Sequence, residues 1–267
     1  MINRPITPLL LAACAFAFAA NRADAQASRG FDQVLPAAAS GIELNQQRDL
    51  WVMEVQFKPM RIVWVDFTDP ATGTTTREPV WYLAYRCLPR PLPTIDDTAT
   101  SPQNDLDPLL GKSRFIPEFT LITYEDRGTE IPDQILMDQI IPEALPVINQ
   151  IERPRNVDTY PQFLDSVSLV QDAPDPVAAD AESQPWIYGV ATWRGVSPET
   201  DFLKIVVLGF SNGFETNADG NLLPNRKGIQ QRFTRLGDEF DQTLQEFAFD
   251  GQPEWLYIPD QGVPAAQ

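Results

Sequence analysis

The sequence contains no histidine among its 267 residues. Without an imidazole, Ser-His-Asp and Cys-His nucleophilic catalysis, histidine-ligated zinc and an imidazole general base are excluded. Any acid–base chemistry would depend on carboxylates, lysine or tyrosine. The sequence therefore predicts a protein that is not an enzyme, with no catalytic residues, no cofactor and no metal centre.

Cysteine is nearly absent, since only Cys14 and Cys87 occur. Removal of an N-terminal segment would leave Cys87 alone, which excludes an internal disulfide. A lone thiol in an oxidising compartment could be reactive. However, Cys87 alternates with Leu83 and Tyr85 along one strand face, a pattern that favours a small buried side chain.

Positive charge is also scarce, because 20 Lys and Arg face 37 Asp and Glu, giving a net charge of −17. Repulsion from phosphates argues against nucleic acid and anionic membrane surfaces as partners. The chain has 25 prolines, and 10% of its residues are aromatic. Both features favour short strands joined by rigid loops over long helices.

The N-terminus carries the pattern of a secretory signal peptide. Arg4 precedes the apolar residues 6–20, which are too few for a membrane span, and an Ala-x-Ala site predicts cleavage after Ala25. A competing interpretation is a lipobox in residues 11–14, with a lipid anchor on Cys14. Both interpretations place the protein outside the cytoplasm, in the periplasm or secreted.

The chain divides into four parts by composition. We predict a signal peptide at 1–25 and a disordered, Ala-, Gln- and Ser-rich lead-in at 26–48. A single elaborated β-sandwich domain follows at 49–259, and a flexible tail at 260–267. Residues 88–112 form a long Pro- and Asp-rich loop, of the kind that is often either functional or disordered.

Alternating and continuous apolar runs predict short strands throughout the domain. They cover residues 51–58, 60–67, 80–87, 115–124, 163–170, 186–193, 202–210, 229–234 and 254–258. Residues 131–153 have helical spacing interrupted by Pro142 and Pro146, which predicts a kinked or split helix. Residues 240–249 fit a helix or a strand, and neighbouring strands favour a strand. The predicted fold is mainly β: an immunoglobulin-like antiparallel β-sandwich with one kinked helical insert.

Residues 209–213, Gly-Phe-Ser-Asn-Gly, match the G-x-S-x-G pattern of a serine-hydrolase nucleophile elbow. Such an elbow needs a helix after it and a histidine base, and the sequence offers neither. Asn212-Gly213 is typical of a hairpin turn or bulge. We therefore predict that Ser211 is a turn residue, although spacing alone leaves open a Ser–Lys pair with Lys204 or Lys227.

In residues 215–221, just after the G-x-S-x-G motif, every second side chain carries an oxygen and one position is glycine. This pattern resembles the start of a calcium-binding loop. The candidate ligands are Glu215, Asn217, Asp219 and Asn221. The EF-hand pattern fails, because it begins with Asp and needs a Glu where Arg226 stands. The alternative interpretation is a solvated hairpin tip with a turn at Asp219-Gly220.

Carboxylates are abundant, and a pair held about 5–9 Å apart could hydrolyse a glycoside. In so acidic a chain these pairs are more typical of solvated loops. The candidates are Asp96, Asp97, Asp105, Asp107, residues 172–182, Asp238, Glu239 and Asp241.

The six tryptophans could form a sugar-stacking platform on a sandwich. Each of them lies within a predicted strand among apolar neighbours, which favours a place in the core. They are Trp51, Trp64, Trp81, Trp186, Trp193 and Trp255.

Four short blocks occur in order along the chain: Val-Trp-Tyr-Leu-Ala-Tyr at 80–85, Gly-Val-Ala-Thr-Trp at 189–193, Gly-Phe-Ser-Asn-Gly at 209–213 and Gly-Asp-Glu at 237–239. With these blocks the chain resembles, over residues 50–258, a group of uncharacterised secreted proteins of planctomycete-type bacteria. The resemblance implies no activity and supplies no site residues. It implies that the Ser-Asn-Gly block belongs to a sandwich and not to a hydrolase.

Together these patterns predict a secreted, non-catalytic sandwich that serves as an envelope or extracellular interaction module. Its partner would be an unknown protein or envelope component. The alternative is a small-ligand module for carbohydrate or calcium, and a carboxylate-based hydrolase is a further alternative. A pocket formed where the 88–112 loop meets the 215–221 tip would favour a binding function.

Overall fold

The fold is taken from a computed structural model of the chain. It describes residues 30–47, 49–93, 113–129, 131–154, 159–216, 222–235 and 245–259. The predicted signal peptide with Cys14, the tail at 260–267 and most of the 88–112 loop lie outside these ranges.

One antiparallel sheet is built around the 15-residue strand β4. Its strands are β1 (Gln33–Leu35), β2 (Met53–Phe57), β3 (Arg61–Thr68), β4 (Thr75–Pro89) and β9 (Ile187–Arg194). Strands β2 and β3 pair in succession with one edge of β4, and β9 pairs with the other edge. Lys58 and Pro59 lie between β2 and β3 and interrupt the alternation of buried and exposed side chains. The Lys58 N–H still donates to the Ala84 carbonyl of β4 at 2.9 Å.

A second antiparallel sheet of seven strands packs against the first. Its strands are β6 (Glu118–Tyr124), β7 (Ile135–Met137), β10 (Phe202–Leu208), β11 (Phe214–Thr216), β12 (Leu222–Arg235), β13 (Phe247–Phe249) and β14 (Glu254–Pro259). Strand β10 lies between β6 and β12, as its apolar faces predict. Strands β5 (Arg114–Phe115) and β8 (Gln171–Asp172) form a separate small sheet.

The main core lies between the two large sheets and contains side chains from both. From β4 it takes Trp81, Leu83, Tyr85 and Cys87, and from β10 it takes Leu203, Ile205 and Val207. Cys87 is fully buried, which confirms its predicted place on that face. The antiparallel β-sandwich predicted from the alternation is therefore confirmed.

Gly189 shows how closely this core is packed. It lies opposite Tyr85 in the β4–β9 register, and a Cβ atom on it would stand 2.3 Å from the Tyr85 ring. A glycine at this position therefore lets the Tyr85 ring approach the backbone of β9.

The outer face of the first sheet is covered by helix α2 (Ala144–Glu152), which buries Ile148 against Val63 and Tyr82. A small apolar cluster that includes Ile122 and Val206 lies on the outer face of the second sheet. In the ranges that the structure describes, no helix has both the length and the apolar character that crossing a membrane requires.

The prediction of a helix over 131–153 is wrong in its first half. Residues Ile135–Met137 form strand β7, which pairs with β6 and lets Leu136 pack against the core. The helix begins only after Pro142, and Pro146 falls in its first turn, where a backbone N–H needs no helical partner. The prolines therefore set where the helix starts and do not kink it.

The strand predicted at 163–170 is also wrong. Only Leu164 makes a bridge, to Gly189, and a turn follows in which the Asp165 carboxylate accepts from the N–H groups of Val167 and Ser168. An aspartate that bonds its own following backbone offers an alternative to a sheet ladder. Phe163 is buried nonetheless.

Residues 30–47, expected to belong to a disordered lead-in, carry strand β1 and helix α1 (Gly41–Gln46). Ser40 caps this helix: its side chain accepts from the Glu43 N–H, and the Glu43 carboxylate accepts from the Ser40 N–H. The Ser-x-x-Glu spacing of a capping box was present in the sequence, but the surrounding composition obscured it.

The strand predicted at 60–67 is confirmed as β3, which lies at the edge of its sheet although both of its faces carry apolar residues, and Trp64 is 39% exposed. Lys58, at the end of the strand predicted at 51–58, is fully buried despite its charge. Strands β11 and β12 form a hairpin. In 240–249, the strand interpretation is confirmed for Phe247–Phe249, and residues 240–244 lie outside the described ranges.

Candidate functional site

Ser211 lies where strand β10 has ended and the chain turns toward β11. Its hydroxyl donates to the Trp51 carbonyl at 2.9 Å and accepts from the Gly213 N–H at 2.9 Å. The side chain is only 7% exposed. Its donor and one of its acceptor sites are thus used to shape the turn and to hold a neighbouring segment.

Asn212 continues this attachment to residues 47–52. Its side-chain oxygen accepts from the Trp51 N–H, and its side-chain nitrogen donates to the Asp49 carbonyl, both at 2.8 Å. The Gln47 amide in turn bonds both the N–H and the carbonyl of Phe214. The G-x-S-x-G motif therefore ties the segment before β2 to the second sheet.

Gly209 explains why the motif begins with glycine. Its φ is +86°, and a Cβ there would stand 1.8 Å from the Ile116 carbonyl oxygen. Only a residue without a side chain meets both conditions.

The lysines considered as bases for Ser211 have other partners. The Lys227 ammonium donates to the Glu43 carboxylate at 2.6 Å and to the Ala38 carbonyl at 2.7 Å. The Lys204 ammonium lies over the Tyr124 ring, 5.4 Å from its centroid.

A cleft of about 450 Å³ opens beside the motif, and we call it the motif cleft. Its walls include Trp51, Arg114, Ile116, Phe214, Leu223 and Arg226. Arg114 closely follows the 88–112 loop, and Phe214 and Leu223 lie on either side of the 217–221 tip. The residues that flank the 88–112 loop and the 217–221 tip therefore line the same cleft. Gly209, the first residue of the G-x-S-x-G motif, lines it too.

Ion pairs and hydrogen bonds with adjacent side chains hold two polar residues of the motif cleft in place. The Arg226 guanidinium pairs with Glu118 at 3.3 Å, and the Asn225 amide donates to Glu215 at 2.5 Å. Arg114, by contrast, is exposed on the two-residue strand β5. The described walls of the cleft therefore present the exposed Arg114 cation beside apolar and aromatic side chains.

The candidate calcium ligands are only partly described. Glu215 is engaged by Asn225, whereas Asn217, Asp219 and Asn221 lie outside the described ranges. Among the residues that the structure does describe, no group of three or more acidic or cysteine side chains is placed to hold a metal ion.

The candidate carboxylate pairs are likewise divided. The acidic side chains within residues 172–182 are all exposed: Asp172, Asp175, Asp180 and Glu182. Asp96, Asp97, Asp105, Asp107, Asp238, Glu239 and Asp241 lie outside the described ranges.

The tryptophans do not form one platform. Trp81 and Trp193 are fully buried, as predicted, and Trp51 and Trp255 are half-buried at the core margin. Trp186 is half-buried and stacks with the guanidinium groups of Arg86 and Arg90, whose centres lie 4.4 and 5.3 Å from its ring.

A buried ionic cluster, which no local sequence pattern indicated, lies on the outer face of the first sheet. The Glu152 carboxylate accepts from Lys58 at 2.8 Å, Arg61 at 2.6 Å and Tyr82 at 2.8 Å. Burial would raise the pKa of Glu152, but the charges and hydrogen bonds of Arg61 and Lys58 hold that pKa below its ordinary value. A carboxylate so bound remains ionised and is no proton donor.

A second missed cluster joins helix α1 to the second sheet. The Glu43 carboxylate accepts from Lys227 and from the Tyr257 hydroxyl, each at 2.6 Å. Burial opposes ionisation, but the bonds from Lys227, Ser40 and Tyr257 lower the pKa of Glu43 to about 2. Both clusters hold helices in place.

A further cleft of about 210 Å³ lies at the outer face of the second sheet, and we call it the cationic cleft. Its charged lining residues are Lys204, Arg232, Arg127, Asp126 and Asp250, and Tyr124 and Phe202 add aromatic rings. No sequence pattern signalled this site, because it depends on the register of strands that are distant in the chain.

Comparison of the chain with protein families, with curated proteins and with solved structures found no match.

Proposed function

We propose that the protein is an extracytoplasmic, non-catalytic interaction module of the envelope or extracellular space, and that its contact site is the motif cleft. The observation that carries the proposal is the meeting of two loop ends with the Gly209–Ser211 turn around one concave surface. Loops held by a rigid sandwich are the usual location of binding residues.

The state of Ser211 supports binding over hydrolysis. Its hydroxyl already donates to Trp51, so attack on a substrate would require breaking a bond that shapes the turn. The chain has no histidine to accept the proton. The signal-peptide pattern before Ala25 supports a location outside the cytoplasm.

A small-ligand module is the second candidate, and the size of the motif cleft favours it. Its volume of about 450 Å³ lies within the range of small-molecule sites. Trp51 and Phe214 could pack against a sugar ring, and Arg114 could bond its hydroxyls.

The test compares Arg114→Glu with Arg77→Glu, a matched reversal at a residue 68% exposed on β4. Purified protein, immobilised through its C-terminus, is exposed to solubilised envelope and culture fluid of the source organism. We expect a component that wild type and Arg77→Glu retain equally and that Arg114→Glu retains about tenfold less.

Two results decide between the candidates. If a panel of neutral glycans raises the melting temperature of wild type but not of Arg114→Glu, the ligand module replaces the interaction module. If wild type and Arg114→Glu retain the same components and no glycan shifts either, the motif cleft is not the contact site.

A further inference from the structure

The cationic cleft contains two positive side chains placed directly opposite each other. Lys204 on β10 and Arg232 on β12 are register partners. Their neighbours Leu203 and Phe233 point into the core, so Lys204 and Arg232 both point to the outer face. Like charges opposite each other on one face of an antiparallel pair destabilise it.

In the part of the chain that the structure describes, no carboxylate compensates this pair. Lys204 lies over the Tyr124 ring, and neither Lys204 nor Arg232 forms an ion pair with a described residue. Two acids line the cleft, Asp126 and Asp250, and Asp250 is held by Arg127 through both of its oxygens. Positive charge therefore remains in a concave site of a protein with net charge −17.

The shape of the cleft adds an apolar wall to this charge. Phe202 and Tyr124 are register partners on the same outer face, and Phe202 is two residues before Lys204 on β10. The cleft of about 210 Å³ is too small for a folded partner and suits one small group. The fork of a guanidinium matches the paired oxygens of a carboxylate or a sulfate.

We propose that the cationic cleft binds an oxyanion, a carboxylate or sulfate, of a small ligand, with Lys204 and Arg232 as its charge partners. Phe202 and Tyr124 would pack against the ring or chain that carries the anion. This inference goes beyond the proposed function, because it assigns a second site on another surface. An acidic sugar and a free inorganic oxyanion share the required chemistry.

The test uses isothermal titration of the full mature protein with sodium glucuronate, sodium sulfate and neutral glucose at constant ionic strength. Variants are Lys204→Gln and Arg232→Gln, with Arg77→Gln as the matched control. We expect wild type and Arg77→Gln to bind glucuronate or sulfate, and each cleft variant to bind at least about tenfold more weakly.

The choice of ligands distinguishes an acidic sugar from an inorganic oxyanion as the natural occupant. Tighter binding of glucuronate than of sulfate assigns the site to an acidic sugar, and the reverse or equal binding assigns it to an inorganic oxyanion. Binding of glucose as tight as that of glucuronate overturns the proposal, as does the absence of binding. Arg114→Glu retains anion binding if the two sites are separate, so failure at one site is distinguishable from failure at the other.

Thermal stability gives a second readout that does not depend on affinity. Without ligand, Lys204→Gln removes the repulsion from Arg232 as well as the contact with the Tyr124 ring, so its melting temperature should stay close to that of wild type. A decrease of several degrees would mean that Lys204 has a further stabilising partner, and it would overturn the proposal. With saturating anion, the melting temperature of wild type should rise more than that of the variant.

Discussion

The ammonium of Lys58 and the carboxylate of Glu152 are 2.8 Å apart, and neither side chain is exposed to solvent. Lys58 lies at the break between β2 and β3, whereas Glu152 is the last residue of helix α2. Their pairing fixes the end of the helix on the outer face of the first sheet. The rings of Phe31 and Phe163 enclose the ammonium at 5.0 and 5.4 Å.

Glu152→Gln should destabilise the protein strongly. It would remove the negative charge that the buried Lys58 and Arg61 side chains contact, and breaking one partner of a buried pair costs about 3–5 kcal/mol. Urea unfolding monitored by tryptophan fluorescence measures the loss. Glu246→Gln, at a carboxylate 35% exposed that pairs with Arg61, is the control and should cost under about 1 kcal/mol. Equal losses in the two variants would contradict the assigned role.

Glu43 should make stability fall in acid. Its pKa is about 2 in the folded protein and near its ordinary value of 4.5 when unfolded, so the unfolded state binds more protons between these values. The stabilisation is complete above about pH 4.5 and is lost as the pH falls toward 2. Glu43→Gln should flatten the stability profile in that window, measured by urea unfolding at stepped pH. Glu125→Gln, the same substitution at an exposed glutamate, is the matched control.

Gly189→Ala should destabilise by overpacking. The new methyl would stand 2.3 Å from the Tyr85 ring and 2.7 Å from Leu169, both of which are buried. Such overpacking costs about 1–3 kcal/mol. Gly128→Ala is the control, because nothing lies within 4 Å of its added Cβ. Denaturation midpoints that do not differ would show that Tyr85 moves aside freely.

Ser211→Ala tests the structural role of the motif. The variant loses the bond to the Trp51 carbonyl and leaves the buried Gly213 N–H without its acceptor, a loss of about 1–3 kcal/mol. Thermal unfolding measures the effect. Ser168→Ala, on an exposed turn, is the control and should cost less. Ester-hydrolysing activity present in wild type and abolished in Ser211→Ala would contradict the turn assignment.

Alternation was sufficient to predict the strands that face the core. Met53, Val55 and Phe57 are buried as their spacing indicates, and β10 is central because both of its faces are apolar. These features are local: each depends on the side-chain direction within one strand.

Alternation within one strand could not predict contacts between segments that are distant in the sequence. Lys58 is buried because Glu152, 94 residues later, neutralises it, and no local pattern carries that information. The opposition of Lys204 and Arg232 depends on the register between β10 and β12. The capping box of Ser40 and Glu43 was the exception, since its spacing is local and could have been recognised.

The attachment of helix α1 has a consequence for the order in which the protein forms. Trp255 donates to the Pro36 carbonyl and Tyr257 to Glu43, contacts that span 219 and 214 residues. Closing so long a loop costs chain entropy before its contacts are gained, so these pairs form late. A segment synthesised early thus completes its docking only when the last strand is available. A chain truncated before β14 would leave that segment open to proteolysis.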